Sequence, residues 1–578
     1  MPENILILSM TRMGDMIQTT PLIKGLKEKY PESKITLLVT SDFAGVVPLI
    51  PGVDDSIVLN FKQFTISENW EDQSWIKVYR YLEQRLENIK IQNYDLLVNL
   101  SHSKFSALMV HYLGIKNVIG FHCNEFGDRM TGHPWMEYFG VEIFNRTYNE
   151  FNLVEIFSGS GGIDVKGRCI EVVRPQSGPS VDTLLPPKSE NVLIGFQAGS
   201  SLEGRRWSAQ SFANLANMLI EKINARILIF GVESESKVAE DIISRTRNKD
   251  RISNFAGKTS ISELSQLLEK CNYLVTNDTG TMHLAAALGT KIIGLFFAHA
   301  HPYETAPFSP GHLIFQAGIS CAPCSYGVHC NNIVCVDKVR PEYLFSAIEN
   351  HIQTQSWNLP EMITPDSEVN VFETVYDFDM NFRLRSLVRH ELGINDVLRS
   401  AYTLLWRRNL SGAWLMAGDE ILIGEICNDL SREYDCINIG LIGEQLEKKY
   451  SVLENVSSLA LAGEKLCGKI IKGASSRNNS QKIRQFGESI TGIDREVEVL
   501  GLSNPEVKPL TDMFTKRKEN VGGDNICFLA IETRKCYIDL INECEQFKKI
   551  LKSFVEKISH LQENYILHSS INVAVPGR

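Results

Sequence analysis

The sequence predicts two doubly wound α/β domains followed by an extension of a different kind. Short apolar runs alternate with helical patterns between residues 5 and 121, and the alternation returns between residues 192 and 297. A stretch rich in proline, serine and glycine at 175–187 separates the two patterns, and the alternation ends after residue 360. Such runs are typical of buried parallel strands that are joined by crossover helices.

Composition excludes several classes of protein. The 578 residues include 59 Lys and Arg against 69 Asp and Glu, a formal net charge of −10, which argues against a general nucleic-acid binder. We find no apolar run near the roughly 20 residues that a spanning helix needs. The first ten residues lack the basic region of a signal peptide, so we expect a cytoplasmic protein.

Each half is predicted to carry its own set of strands. In the first half we place strands at 5–8, 35–39, 56–59, 95–100 and 118–121, and a helix that runs to about residue 29 before Pro31. In the second half we place strands at 192–196, 226–230, 273–276 and 292–297, with helices at 212–223, from about 233 and from about 279. The predicted domains are 1–175, 188–355 and 365–578. Ligands of open parallel sheets bind beyond the carboxyl ends of the strands, so we expect the active site between the first two domains.

The extension is predicted to be mainly helical or mixed. Arginines interleave with apolar residues at 382–408, which suits an anionic membrane surface; the alternative is an amphipathic helix docked on its own domain. An a/d stripe near the end predicts a helix that packs on a partner surface. Its members are Phe547, Leu551, Phe554, Ile558, Leu561 and Tyr565.

Polar loops follow three of the predicted strands. The first contains Arg12, Gly14 and Asp15, where Asp15 is either an ordinary first-turn acid or a general base that faces the cleft. No GxGxxG follows this strand, which argues against a dinucleotide cofactor in this half. The second loop contains Ser200, Ser201, Arg205 and Arg206 before Trp207. Hydroxyls and paired arginines suit an anionic ligand, although a solvated loop explains them as well.

The third loop runs from a strand directly into a helix. It contains Asp278, Thr279 and Gly280, with His283 one turn further along. Free backbone N–H groups at such a helix start bind anions. The alternative is that Asp278 caps the helix and His283 packs in the core.

Four of the thirteen cysteines lie within fifteen residues. Cys321, Cys324, Cys330 and Cys335 have a spacing that suits tetrahedral zinc or iron, and His329 could replace one ligand. The alternative is four reduced structural cysteines or reversible disulfides. We expect this site to be structural, and we predict no cofactor and no divalent ion for catalysis.

Together the three loops resemble glycosyltransferase family 9, the ADP-heptose:lipopolysaccharide heptosyltransferases, over about residues 1–350. The resemblance implies a GT-B fold, in which two Rossmann-like domains face a cleft. It implies that Asp15 is the catalytic base, with Arg12 and Gly14 as acceptor or phosphate contacts. The donor contacts that it implies are Ser200, Ser201, Arg205, Arg206, Glu235 (with Glu233 as the runner-up), Asp278, Thr279, Gly280 and His283.

The resemblance implies an inverting transfer of a heptose-type sugar from an ADP-sugar to a glycolipid such as the lipopolysaccharide core, close to the inner membrane. A second hypothesis is a protein acceptor, of the autotransporter or flagellin type. It rests on the extension and on the cysteine cluster, because the autotransporter-modifying heptosyltransferases have related cysteines and bind iron. A third is an inactive GT-B scaffold whose extension mediates interactions. The sequence leaves the oligomeric state open.

Overall fold

The computed structural model describes residues 1–64, 74–174, 192–412, 419–474 and 480–573, and side chains up to residue 560. The chain divides into two compact units. The first comprises residues 1–122 and 151–389, and the second comprises 123–150 and 390–578. The predicted linker at 175–187 lies outside the described residues, and so do the side chains of Leu561 and Tyr565.

The first half of the first unit is built on parallel strands in the order β3-β2-β1-β4-β5. The strands are β1 (Asn4–Leu8), β2 (Lys34–Thr40), β3 (Asp55–Leu59), β4 (Leu96–Asn99) and β5 (Val118–Cys123). The helices are α1 (Met13–Gln18), α2 (Thr20–Lys29), α3 (Ser74–Lys90) and α4 (Lys104–Leu113). The chain then forms β6 (Arg129–Gly132) and α5 (Pro134–Glu142) of the second unit, and α6 (Leu153–Ser160) of the first.

The second half of the first unit has the strand order β14-β13-β12-β11-β10-β7-β8-β9. The strands are β7 (Leu193–Gln197), β8 (Arg226–Phe230), β9 (Ile252–Asn254), β10 (Tyr273–Asn277), β11 (Lys291–Phe296), β12 (Leu313–Ala317), β13 (Val369–Tyr376) and β14 (Phe382–Ser386). The helices are α7 (Ala209–Ile223), α8 (Ser236–Arg245), α9 (Ile261–Lys270), α10 (Gly280–Ala287), α11 (Pro302–Thr305), α12 (Cys335–Lys338) and α13 (Pro341–Thr354). Strands β7 to β12 pair in parallel, whereas β13 pairs antiparallel with both neighbours.

The structure confirms the predicted α/β pattern, but it adds strands β6, β9 and β12, which were not predicted, and it differs in three further respects. The helix expected to run to residue 29 is interrupted at Thr19, and α2 restarts with Pro21 in its first turn. The third predicted domain includes β13 and β14, which extend the second sheet. The basic and aromatic stretch 382–408 is not one helix, because β14 occupies its start and a separate helix begins at Ile394.

The second unit is helical. Besides α5 it contains α14 (Ile394–Asn409), α15 (Asp419–Glu433), α16 (Ile439–Gly473), α17 (Ser480–Ser503), α18 (Lys508–Glu519) and α19 (Ile526–Val573). Helices α16 and α19 pack along each other, and α18 packs on α5. Within the described residues, we find no helix that combines the length and the apolar character needed to cross a membrane.

The a/d stripe of α19 lies inside this unit. Phe547, Leu551, Phe554 and Ile558 are at most 3% exposed. The ring of Phe547 stacks on Tyr402 at a centroid distance of 4.1 Å. The stripe therefore packs on helices of its own unit, and the expectation of a partner surface was wrong for these four side chains.

A glycine sets the spacing of the two longest helices. A Cβ atom at Gly463 of α16 would lie 2.2 Å from Cζ of Tyr537 on α19, whereas one at Gly468 meets nothing within 4 Å. We expect Gly463→Ala to lower the free energy of unfolding by about 1–3 kcal/mol through overpacking. The matched change Gly468→Ala should raise it by up to about 1 kcal/mol, because alanine favours a helix. Urea unfolding measures both, and equal effects would contradict the close approach.

Candidate active site

Both sheets of the first unit have a point where the strand order reverses. In the first sheet this point lies between β1 and β4, and in the second it lies between β7 and β10. Crevices at these points are the usual ligand sites of open α/β sheets. The three polar loops named from the sequence leave β1, β7 and β10, so the topology places all of them at the reversal points.

Asn277, the last residue of β10, holds the β7 loop in place. Its side-chain Nδ2 donates to the carbonyl of Ala198 at 2.8 Å. Its Oδ1 accepts the backbone N–H of Trp207 at 3.0 Å. The indole Nε1 of Trp207 donates to the carbonyl of Val339 at 2.9 Å, and this ring is buried. Asn277 has no role among the predicted site residues, although its place between a buried strand and Asp278 is a usable signal.

Arg205 and Asp278 form an ion pair between the second and third loops. Their side chains are 8% and 9% exposed. The Nη2 group of Arg205 also donates to the Asp278 carbonyl at 3.3 Å. Arg205 Nε has no hydrogen-bond partner. Because Asp278 binds this guanidinium and helix α10 starts from Thr279 without a side-chain cap, the capping interpretation of Asp278 was wrong.

The starts of helices α1 and α10 approach each other through two glycines. A Cβ atom at Gly14 would lie 2.9 Å from Cδ2 of His283 and 3.2 Å from Cα of Gly280. A Cβ atom at Gly280 would lie 3.1 Å from the backbone nitrogen of Gly14. Gly14 is buried, whereas Arg12 beside it is exposed. A side chain at either glycine would therefore crowd both a side chain and the backbone of the other half.

Asp15 occupies the third position of α1. Its Oδ2 accepts the backbone N–H of Arg12 at 3.2 Å, so it also serves as a first-turn acid. Burial raises the pKa of Asp15; the contacts with Arg12 and Thr11 oppose this shift, and the charge of Asp278 adds to it. The two carboxylates, one from each half, therefore lie near enough to influence each other. A raised carboxyl pKa suits a general base.

His283 packs at the same place. It is 3% exposed, its Nδ1 has no hydrogen-bond partner, and its ring borders Gly14. Burial lowers the pKa of His283 to about 4, although the charge of Asp278 opposes the shift. The imidazole is therefore neutral at pH 7. This burial agrees with the core interpretation, and the ring atoms of His283 nearest to Gly14 are Cδ2 and Nε2.

The remaining predicted donor contacts are residues of the β7 loop itself and Glu235, which borders this loop. Ser200 is buried, and its carbonyl accepts Nε of Arg206 at 2.7 Å, whereas Ser201 is exposed. The side chain of Glu235 lies over Gly199, where a Cβ atom would be 1.9 Å from the Glu235 Cδ. Oε2 of Glu235 accepts Gln197 Nε2 at 3.1 Å.

Glu233, the runner-up for the nucleotide contact, points elsewhere. A Cβ atom at Gly257 would lie 2.0 Å from Oε2 of Glu233, so that carboxylate borders the loop after β9. Only Glu235 of the two therefore borders the β7 loop.

The cysteine cluster shows no metal centre. Cys321 and Cys330 are exposed and Cys335 is buried, and these three and Cys324 are all thiols. In the part of the chain that the structure describes, no three His, Cys, Asp or Glu side chains come together to hold a metal. Burial raises the pKa of Cys335, and nearby Cys321 and Cys330 add to that shift. Zinc or iron at this cluster stays a prediction.

One Asp-x-Asp sequence does occur, at 377–379 in the β13–β14 hairpin. Oδ1 of Asp377 accepts the backbone N–H groups of Asp379 and Asn381, each at 2.8 Å. Asp379 pairs with Lys166 at 2.5 Å. These contacts stabilise a hairpin turn, and they give each of the two carboxylates a structural partner.

With two facing doubly wound halves and a site between them, the first unit has the GT-B architecture. Residues 171–332 match the family model described as Glycosyltransferase family 9 (heptosyltransferase). The chain therefore carries a domain of glycosyltransferase family 9 and is a glycosyltransferase. This confirms the resemblance that the three loops predict.

Curated relatives match about half of the chain. Lipooligosaccharide heptosyltransferase 2 of Haemophilus ducreyi is 25% identical over 334 residues, which covers 54% of this chain and 88% of the relative. Lipopolysaccharide heptosyltransferase 3 of Escherichia coli K12 is 26% identical over 314 residues, with 53% and 85% covered. A solved family 9 glycosyltransferase from Veillonella parvula is 19% identical with a TM-score of 0.49, with 61% and 98% covered.

The burial of His283 predicts a pH dependence of stability. The pKa of His283 is about 4 in the folded protein, whereas it is near 6.5 in the unfolded chain. The contribution to stability is therefore complete above about pH 6.5 and declines as the pH falls towards 4. Between pH 7 and pH 5, the free energy of unfolding should therefore fall by about 2 kcal/mol less in His283→Gln than in the unaltered protein. Urea unfolding at the two pH values measures this difference.

The matched control is His329→Gln, because His329 is exposed. It should keep the pH dependence of the unaltered protein. An unchanged pH dependence in His283→Gln would show that this imidazole is not held neutral by burial.

Proposed function

We propose that the enzyme transfers a heptose-type sugar from an ADP-sugar to a lipid-linked glycan of the lipopolysaccharide core type, with inversion at the anomeric carbon. One observation carries the proposal. A partly buried carboxylate of one half, Asp15, lies beside a buried arginine–carboxylate pair and a helix start of the other half. The names of the curated relatives, which are heptosyltransferases acting on lipooligosaccharide or lipopolysaccharide, support the sugar and the acceptor.

Asp15 supplies the base that an inverting transfer needs. The acceptor hydroxyl attacks the anomeric carbon from the face opposite the leaving diphosphate, and its proton passes to the Asp15 carboxylate. A base is most effective when its pKa lies near the working pH, because it is then both deprotonated and able to take the proton. Burial shifts the pKa of Asp15 in that direction. The rate should fall when the pH drops below this raised pKa.

The other half stabilises the leaving diphosphate. The N–H groups at the start of α10, around Thr279 and Gly280, have no partners within the helix and attract negative charge. Arg205 supplies a guanidinium whose Nε is unpaired, and Asp278 fixes its orientation. Ser200 and Ser201 add hydroxyl donors from the β7 loop. Preorganised donors of this kind favour the transition state because they need no rearrangement as charge develops.

The remaining groups suit the rest of the donor. The Glu235 carboxylate borders the β7 loop and can accept hydrogen bonds from ribose hydroxyls. Arg206 supports the loop through the Ser200 carbonyl. The neutral imidazole of His283 lies beside Gly14, and Nε2 is its ring nitrogen nearest to that glycine. A lipid-linked acceptor would bring the enzyme to the cytoplasmic face of the inner membrane, where we place the reaction.

Asp15→Asn should separate binding from chemistry. The amide keeps the shape of the carboxylate but cannot take the acceptor proton, so we expect transfer to fall about 10²–10⁴-fold. Affinity for the ADP-sugar, measured by calorimetry, should change little, because the predicted donor contacts lie on the other half. The measurement is transfer of labelled heptose from ADP-heptose to a lipid A-core acceptor.

The matched control is Asp250→Asn, since Asp250 is an exposed acid of the same unit. It should leave both transfer and donor binding unchanged. Undiminished transfer by Asp15→Asn would contradict the assignment of the base. Transfer of label to protein acceptors alone would contradict the glycolipid acceptor.

A further inference from the structure

The second unit contains a cavity that the proposed transfer does not use. Its volume is 680 Å³, within the range of small-molecule sites. The wall combines two distant parts of the chain, residues 124–137 and residues 409–543. Helices α5 and α18, which pack on each other, bring these parts together.

An arginine in the wall is fixed by two carboxylates. Nη2 of Arg517 donates to Oε1 of Glu543 at 2.8 Å, and its Nε lies 3.8 Å from Oε2 of Glu137. The other oxygen of Glu137 accepts Nδ2 of Asn520 at 2.7 Å. The backbone also contributes, because Oδ1 of Asn520 accepts the N–H of Thr131 at 2.8 Å. The guanidinium therefore has a defined orientation before any ligand binds.

Several polar atoms of this wall are buried and unpaired. Arg517 Nη1, Glu543 Oε2 and both amide atoms of Asn409 have no hydrogen-bond partner. The side chain of Glu543 is 3% exposed, so its free oxygen is not simply solvated. Buried polar groups are normally hydrogen-bonded, and those left unpaired call for an explanation. A ligand with hydroxyl groups would satisfy both the donors and the acceptors.

The cavity wall contains more carboxyl groups than basic groups. Five carboxylates face two cations; the carboxylates are Glu125, Glu137, Glu532, Asp539 and Glu543, and the cations are Arg517 and Lys535. Burial raises the pKa of Glu137, Asp539 and Glu543. Lys535 is engaged by Glu532 at 2.6 Å. Asp539 forms no hydrogen bond and no ion pair within 4 Å among the residues that the structure describes, although the charges of Arg517 and Lys535 are near enough to oppose the rise of its pKa. This balance disfavours a phosphorylated ligand and favours one that carries an amine.

Two aromatic rings complete the lining. Phe126 and Phe528 are 66% and 51% exposed although both border the cavity. Exposed rings beside hydrogen-bonding groups suit a ligand with both apolar C–H faces and polar edges, as a sugar ring has. A flexible polyamine would pair with the carboxylates, but it has no hydroxyl groups to form hydrogen bonds with Asn409 and Arg517.

We propose that this cavity binds a saccharide that carries a free amine. Asp539 would hold the ammonium group, while Arg517, Asn409 and Glu543 would bind the hydroxyls. This site is separate from the sugar-transfer site, and the proposal does not depend on the heptose assignment.

The test is calorimetric titration of the full chain with a β1,4-linked glucosamine dimer. We expect this dimer to bind, and its N-acetylated counterpart and cellobiose to bind about tenfold more weakly or less, because both lack the ammonium. Asp539→Asn should lower the affinity for the glucosamine dimer by a similar factor, and Asn409→Ala should also lower this affinity. The matched control Asp524→Asn, at an exposed acid of the same unit, should not.

Three results would overturn the proposal. These are equal affinity for cellobiose, tighter binding of spermidine than of the dimer, and unchanged affinity in both Asp539→Asn and Asn409→Ala. Thermal melts of the variants verify that each is folded. Asp15→Asn should bind the dimer normally, so failure of the transfer hypothesis would leave this result unaffected.

Discussion

The close approach of Gly14 and Gly280 is the constraint on which the candidate active site depends. Each glycine lies where a side chain would meet the other half of the first unit. This contact brings the start of α1, which carries Asp15, to the start of α10, which follows Asp278. A base from one sheet and an anion-binding helix start from the other are thereby held together before any ligand binds.

Burial gives these groups their chemical character. Loss of solvent raises the pKa of Asp15 and lowers that of His283, because burial disfavours the charged form of each group. Asp278 forms an ion pair with Arg205 in the same buried space. The second unit repeats this solution with Arg517 and Glu543. In both places an arginine is oriented by a carboxylate while part of its guanidinium stays unpaired.

The sequence predicts the central strands and the three site loops well, because buried parallel strands are short apolar runs and their loops follow at once. Contacts between distant residues were not accessible in this way. The role of Asn277 depends on Ala198 and Trp207, and the glycine contact joins residues more than two hundred positions apart. Strands β13 and β14 were missed because these antiparallel strands mix polar and apolar residues, and the parallel strands β9 and β12 were missed as well. The grouping of 123–150 with the C-terminal helices depends on tertiary packing alone.

The discontinuity of the second unit has a consequence for biosynthesis. Its first segment, residues 123–150, leaves the ribosome long before the helices that complete its packing, which begin after residue 390. Domains usually fold as units while the chain is being made. The sheets of the first unit can therefore begin to form before α18, on which the apolar side chains of α5 pack, has been synthesised. Premature termination beyond residue 389 would leave a catalytic core with an exposed insertion, a species prone to aggregation and to capture by chaperones.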